Sequence, residues 1–155
     1  MHPNAELIRR FYQAFADRDG KTMRAAYHPE ARFDDPAFRG LQGAEIGDMW
    51  EMLIARGKDL KIAFGDIEAD GAKGRAHWEA WYTFSGTGRK VHNVIEAAFE
   101  FRDGKIYRHR DSFPFWRWSR QALGLPGLLL GWTPLLAKKV QATARKSLDA
   151  WRARA

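Results

Sequence analysis

The chain has 155 residues, with 26 Lys and Arg against 19 Asp and Glu, and no cysteine. That length makes one domain with its own core the simplest reading, and the lack of cysteine excludes disulfide staples, thiol catalysis and cysteine-bound zinc. The net charge of +7 is uneven: residues 1–113 hold 18 basic and 18 acidic side chains and residues 114–155 hold 8 and 1, so nucleic acid is not the expected partner of the neutral body.

Leu7, Ile8, Phe11 and Phe15 recur at helical spacing, which predicts an amphipathic helix over 4–17. The start of the chain has no basic region followed by an apolar run, and no stretch nears the ~20 apolar residues of a spanning helix, so a cytoplasmic location is expected. A shorter helix is predicted over 21–27, capped by Asp19 and ended by His28-Pro29, because the residue before proline resists helical geometry. Residues 31–35 read as a short extended piece. Ile46, Trp50, Leu53 and Ile54 then predict a third helix over 43–56, stopped at Gly57.

After Gly57 the apolar period falls from 3.6 to 2. Leu60, Ile62 and Phe64 alternate with polar or small residues, and further strands follow over 76–84, 91–101 and 105–113. The turns between them are Asp70-Gly71, Ser85 to Gly88 and Asp103-Gly104. Short turns make antiparallel neighbours, so the expected fold is α+β, with three N-terminal helices packed on a curved, mostly antiparallel sheet. Strand 76–84 is bulky on both parities, which predicts that both faces are covered, one by the helices around a cavity and the other by a second subunit in a homodimer.

The division expected is a domain over 1–113 and a helical, basic extension over 114–155. Within the extension, Thr133 and Pro134 start a long helix with an apolar line through Leu136, Val140, Ala144, Leu148 and Trp151. Leu128 to Leu130 are expected to be buried, with the extension packed on the body or a partner subunit. A membrane surface is the less favoured partner for it.

Chemistry concentrates in DGKIYRHRDSF, residues 103–113, where period-2 geometry puts Lys105, Tyr107, His109, Asp111 and Phe113 on one face. Facing an apolar cavity, Asp111 has the desolvated carboxyl that general acid/base catalysis needs, with His109 as its partner. The alternative is a carboxylate paired with arginine at the sheet edge. Asp35 is either a second acid or an ordinary turn former before Pro36. His77, His92 and Glu79 lack the spacing of a metal site, so neither metal nor cofactor is expected.

The order of elements, with YHPEARFDDP between helices and DGKIYRHRDSF at the end of the sheet, resembles the nuclear transport factor two-like superfamily. That superfamily includes ketosteroid isomerases, SnoaL-like polyketide cyclases and limonene epoxide hydrolases. The resemblance covers roughly residues 4–113 and implies a cone-shaped roll enclosing an apolar pocket, usually in a dimer. It puts Asp35, in Phe33-Asp34-Asp35-Pro36, in the role of the isomerase base. It also likens Asp111 to the strand acid of the cyclases.

Phe11 and Ala97 stand where the isomerase has its two oxyanion donors, so that activity is not expected. His77-Trp-Glu-Ala-Trp81 lacks the Arg-x-Asp pair of the hydrolases. The expected site is therefore Asp111, His109 and Asp35 as acid/base groups. Phe11, Tyr12, Trp50, Trp81, Phe99, Tyr107 and Phe113 are the expected walls around an apolar small molecule. The expected function is cofactor-independent isomerase or cyclase chemistry next to a carbonyl, the alternative being a non-catalytic carrier of a hydrophobic ligand.

Overall fold

The computed structural model describes residues 1–154. Helices α1 (Pro3–Ala16) and α2 (Gly20–Ala25) lead into strand β1 (Tyr27–Asp34), and the two-residue β2 (Leu41–Gln42) precedes α3 (Ala44–Arg56). A meander follows: β3 (Lys61–Ala69), β4 (Lys73–Phe84), β5 (Arg89–Arg102) and β6 (Lys105–Ser112). The tail is α4 (Phe115–Leu123), α5 (Leu125–Leu130) and α6 (Pro134–Ala153). No helix among the described residues is long and apolar enough to cross a membrane.

The six strands form one curved sheet in the order β2-β1-β6-β5-β4-β3, antiparallel throughout except that β1 runs parallel to β6. The α+β class and mostly antiparallel sheet are as the sequence predicts. Two elements differ. Tyr27 begins β1 rather than ending α2, and His28-Pro29 lies inside that strand, where the register with β6 jumps between Tyr27 and Arg32. Such an irregularity accommodates a proline that cannot donate to the ladder. β2 was not expected; its pairing of Leu41 with Phe33 comes from a loop without a strand pattern.

The inner face of the sheet and the helices bury one aromatic core. Phe11, Tyr12, Phe15, Phe33, Trp50, Trp78 and Phe99 are all within 7 % of full burial. Their rings meet mainly edge to face, as in Phe11 on Trp50 at 5.9 Å and Phe15 on Trp50 at 5.1 Å. Interior space that was expected to be an empty apolar pocket is thus filled by side chains, and the open volume lies at the end of the sheet instead.

The tail packs on the body. Leu148 of α6 is fully buried in the main core, with Ala144 and Trp151 beside it. Arg152 Nε donates to Asp48 Oδ2 at 2.8 Å and Arg145 bonds Glu45, so α6 lies along α3. α4 buries Trp118 and Ala122 against Val91 of β5. α5 approaches α4 through glycine: a Cβ at Gly127 would sit 1.9 Å from Ser119 O, and one at Gly131 would sit 2.0 Å from Ser119 Oγ. That contact turns the leucines outward. Leu128, Leu129 and Leu130 are 45, 58 and 50 % exposed, contrary to the expectation that they are buried.

Burial rather than charge holds α6. Leu148→Ala is expected to cost about 2–5 kcal/mol in urea unfolding, and Arg152→Ala under about 1 kcal/mol, because the arginine pairs are solvated. Equal effects would mean that the ion pairs hold the helix.

Candidate functional site

The parallel pairing of β1 with β6 sets Phe33 beside His109 and Asp34 beside Arg110. Both strands end on the same side of the molecule, so Asp35, one residue past β1, comes next to Asp111. A cleft of about 580 Å³ opens there, lined by Asp34, Asp35, Pro36, Arg39 and residues 110–113 from the body. Phe115, residues 131–134, Ala137 and Gln141 of the tail form the opposite wall. Gln141 Nε2 ties the two walls by donating to Pro36 O at 3.1 Å.

Behind the cleft runs a buried chain of hydrogen bonds. Trp50 Nε1 donates to Tyr27 Oη at 3.0 Å, Tyr27 Oη lies 2.7 Å from His109 Nδ1, and His109 Nε2 lies 2.8 Å from Asp111 Oδ1. An indole can only donate, so Tyr27 accepts from it, and with a neutral imidazole paired to a carboxylate the Tyr27 proton goes to His109 Nδ1. That leaves His109 Nε2–H to donate to Asp111. Burial pushes the Tyr27 phenol well above its usual range, with the Asp111 charge adding to the effect against the opposing Trp50 bond. Trp78 Nε1 adds a long bond to the same Asp111 oxygen at 3.4 Å. Rings surround the imidazole, Phe99 at 4.4 Å and Phe33 at 4.9 Å.

Asp111 is 2 % exposed, and its Oδ2 has no hydrogen-bond partner. No arginine pairs with it, so the edge-carboxylate alternative does not describe it. The Tyr12 hydroxyl is the other buried polar atom without a partner, and burial followed by the Asp111 charge pushes its pKa well up. Asp35 is held in a similar one-sided way: its Oδ1 accepts from the N–H groups of Ala37 at 2.7 Å and Phe38 at 2.6 Å. It is thus the turn former as well as an acid on the cleft wall. Burial, opposed by the Phe38 bond and reinforced by the Asp111 charge, raises its pKa from 3.8 to about 7.

The wall residues divide into three groups. Phe113 lines the cleft. Phe11, Tyr12, Trp50 and Phe99 pack around the buried chain and form the floor behind it. Tyr107 and Trp81 are elsewhere. A bulge where Glu100 pairs with Arg108 but Phe101 with Ile106 leaves Tyr107 unpaired and breaks the alternation. Tyr107 then stands between Arg102 and Arg108, against His28. Trp81 stacks on His92 at 4.6 Å on the outer face. On that face Glu79 bonds both His77, at 3.0 Å, and His92, at 2.7 Å. Among the described residues no three His, Asp or Glu side chains are grouped to hold a metal ion.

Tyr82 was missed from the sequence. Its hydroxyl accepts from Trp118 Nε1 at 2.8 Å, and burial, opposed by that bond and aided by the Asp35 charge, pushes its pKa up to about 12. It therefore stays protonated at neutral pH. The available signal was strand parity, since Tyr82 shares the inward face of Trp78.

The Asp35 shift has a measurable sign. A carboxyl whose folded pKa is raised stabilises the fold below its unfolded pKa near 4, and that contribution is lost as pH climbs through about 7. Carbon-13 titration of Asp35 should show a midpoint near 7, lowered in Asp111→Asn because a like charge is gone. Asp35→Asn, which keeps the turn acceptor, should match the wild type below pH 4 and exceed its stability above pH 7 by roughly 1–2 kcal/mol. A midpoint near 4 would refute the assignment.

Solved structures resemble this one at low identity, and three of them serve as examples. An LEH-like epoxide hydrolase from M. tuberculosis superposes with a TM-score of 0.66 at 21% identity, covering 83% of this chain and 96% of its own. A putative polyketide cyclase from Xanthomonas campestris gives 0.65 at 20%, covering 77% and 96%. IdmH, a putative polyketide cyclase from Streptomyces antibioticus, gives 0.65 at 22%, covering 80% and 100%. No curated protein matches the sequence. The model of the SnoaL-like domain matches residues 8–109, which takes in α1 from Ile8 onward, the sheet up to His109 and the aromatic core between them. The chain belongs to the SnoaL-like domain family.

Proposed function

We propose that the protein binds an apolar, carbonyl-bearing small molecule in the cleft and moves a proton at the carbon next to the carbonyl, without a cofactor. The observation that carries this reading is the bare Asp111 Oδ2. A buried acceptor left without a donor costs on the order of 1–3 kcal/mol, a cost removed when a bound molecule supplies a hydrogen to that oxygen. His109 holds the other oxygen, so the bare one has a fixed direction.

In this reading Oδ2 removes the proton, and the electron pair of the C–H bond moves into the enolate. Asp35, half protonated near neutrality, returns a proton at a second position, and the pair resets by transfer from Asp111 to Asp35. For a cyclisation, the same enolate carbon would attack a second carbonyl of the substrate. A homodimer is part of the same proposal, with the outer face around Trp81 and His92 against the second copy.

One feature favours the carrier reading. Ala97, which pairs directly across from Asp111, and Phe11 offer no oxyanion donor at the positions where the isomerases have theirs. Deuterium uptake from heavy water by a panel of polycyclic ketones, read by mass spectrometry, separates the two. An enzyme should exchange the proton next to the carbonyl, and Asp111→Asn should lose about 10²–10⁴-fold while tryptophan quenching reports unchanged binding. Binding by the wild type with no exchange above the solvent rate would favour the carrier.

A further inference from the structure

α5 and its flanks form an exposed apolar patch. Leu125, Leu128, Leu129 and Leu130 are 65, 45, 58 and 50 % exposed, Trp132 74 % and Leu135 79 %. Trp116, 39 % exposed, closes one side by donating from Nε1 to Leu128 O at 3.0 Å. The exposure is built in, because α5 meets α4 through Gly127 and Gly131, where no larger residue fits.

The charge along this stretch of the chain has one sign. From Ser112 to Leu148 the chain contains six Lys and Arg and no Asp or Glu. Leu135 shares a face of α6 with the exposed Lys138 and Lys139, three and four residues on, and Arg120 lies over the Trp116 ring at 4.7 Å. A symmetric dimer through this patch would bring these cations together, and the segment that carries them supplies no acid to answer them. Leu128, Leu129 and Leu130 are consecutive, so at 100° per residue they leave about 200° of the helix bare. A partner groove reads a single stripe at i, i+3 and i+4, whereas an apolar liquid wets all sides.

We propose that this patch docks on an anionic lipid bilayer, with the leucines and Trp132 in the interfacial layer and Arg120, Lys138 and Lys139 on the headgroups. Residues 131–134 line the cleft. The docked protein therefore opens its cleft at the lipid boundary, where an apolar ligand partitions.

The test is co-sedimentation of the full chain with vesicles of phosphatidylcholine alone and of phosphatidylcholine with one quarter phosphatidylglycerol, alongside sedimentation velocity without lipid. The chain should bind the anionic vesicles at least tenfold more tightly than the neutral ones, and less tightly as salt rises. Leu128→Ser with Leu129→Ser, and separately Lys138→Glu with Lys139→Glu, should each lose at least tenfold while the circular dichroism spectrum is unchanged. No binding to anionic vesicles, or equal binding by the variants, would overturn the proposal. So would a concentration-dependent dimer that the leucine pair abolishes, which would give the patch to a second copy.

Discussion

The chemistry depends on the parallel pairing of β1 with β6. Among the described residues these strands are the only parallel neighbours in the sheet, and they are more than seventy residues apart in sequence. Antiparallel neighbours would end at opposite edges and separate their terminal residues. The parallel pair ends at one edge and brings Asp35 and Asp111, each the last acid of its segment, to a single cleft. The helices and the aromatic core keep this edge dry enough for the proximity to matter. In water two carboxylates interact weakly, while burial lets the Asp111 charge add to the rise of the Asp35 pKa.

The Trp50–Tyr27–His109–Asp111 chain serves the same end. Burying a histidine, a tyrosine and an aspartate costs free energy unless each bond is made, and here every link from the Trp50 indole to Asp111 is within hydrogen-bond distance. The chain satisfies one oxygen of Asp111 and leaves the other bare. The Asx turn after Asp35 does likewise, using both local N–H groups on Oδ1. Two carboxylates are thus fixed in position by one oxygen each, an arrangement in which geometry does not depend on protonation state.

Much of this was legible in the sequence. The change of apolar period after Gly57 and the three Gly-containing turns gave the meander, and the period-2 run put His109 and Asp111 on one face. What could not be read was whatever depends on pairing between distant segments or on an extra residue. The β1–β6 pairing has no local signal, so Asp35 and Asp111 were named separately and not as neighbours. The bulge at Tyr107 adds one residue, and parity arguments fail beyond it. Trp81 has the opposite parity to Trp78 and Tyr82, but both parities of that strand are bulky, so bulk alone does not say which of them faces inward. Interior volume is equally hidden, since only packed rings reveal that the aromatic load fills the space it was expected to line.

The tail links the site to the surface. A six-residue helix does not persist on its own, so α5 keeps its shape because its backbone rests on Ser119 through Gly127 and Trp116 holds Leu128 O. The chain then passes from Gly131 to Pro134 along the cleft before α6 anchors in the core at Leu148. This four-residue wall is clamped at both ends, by a glycine contact on one side and a buried leucine on the other. A contact on the exposed leucines bears on the first clamp and hence on the wall of the cleft, whereas one on the solvated face of α6 is absorbed by the core beneath it.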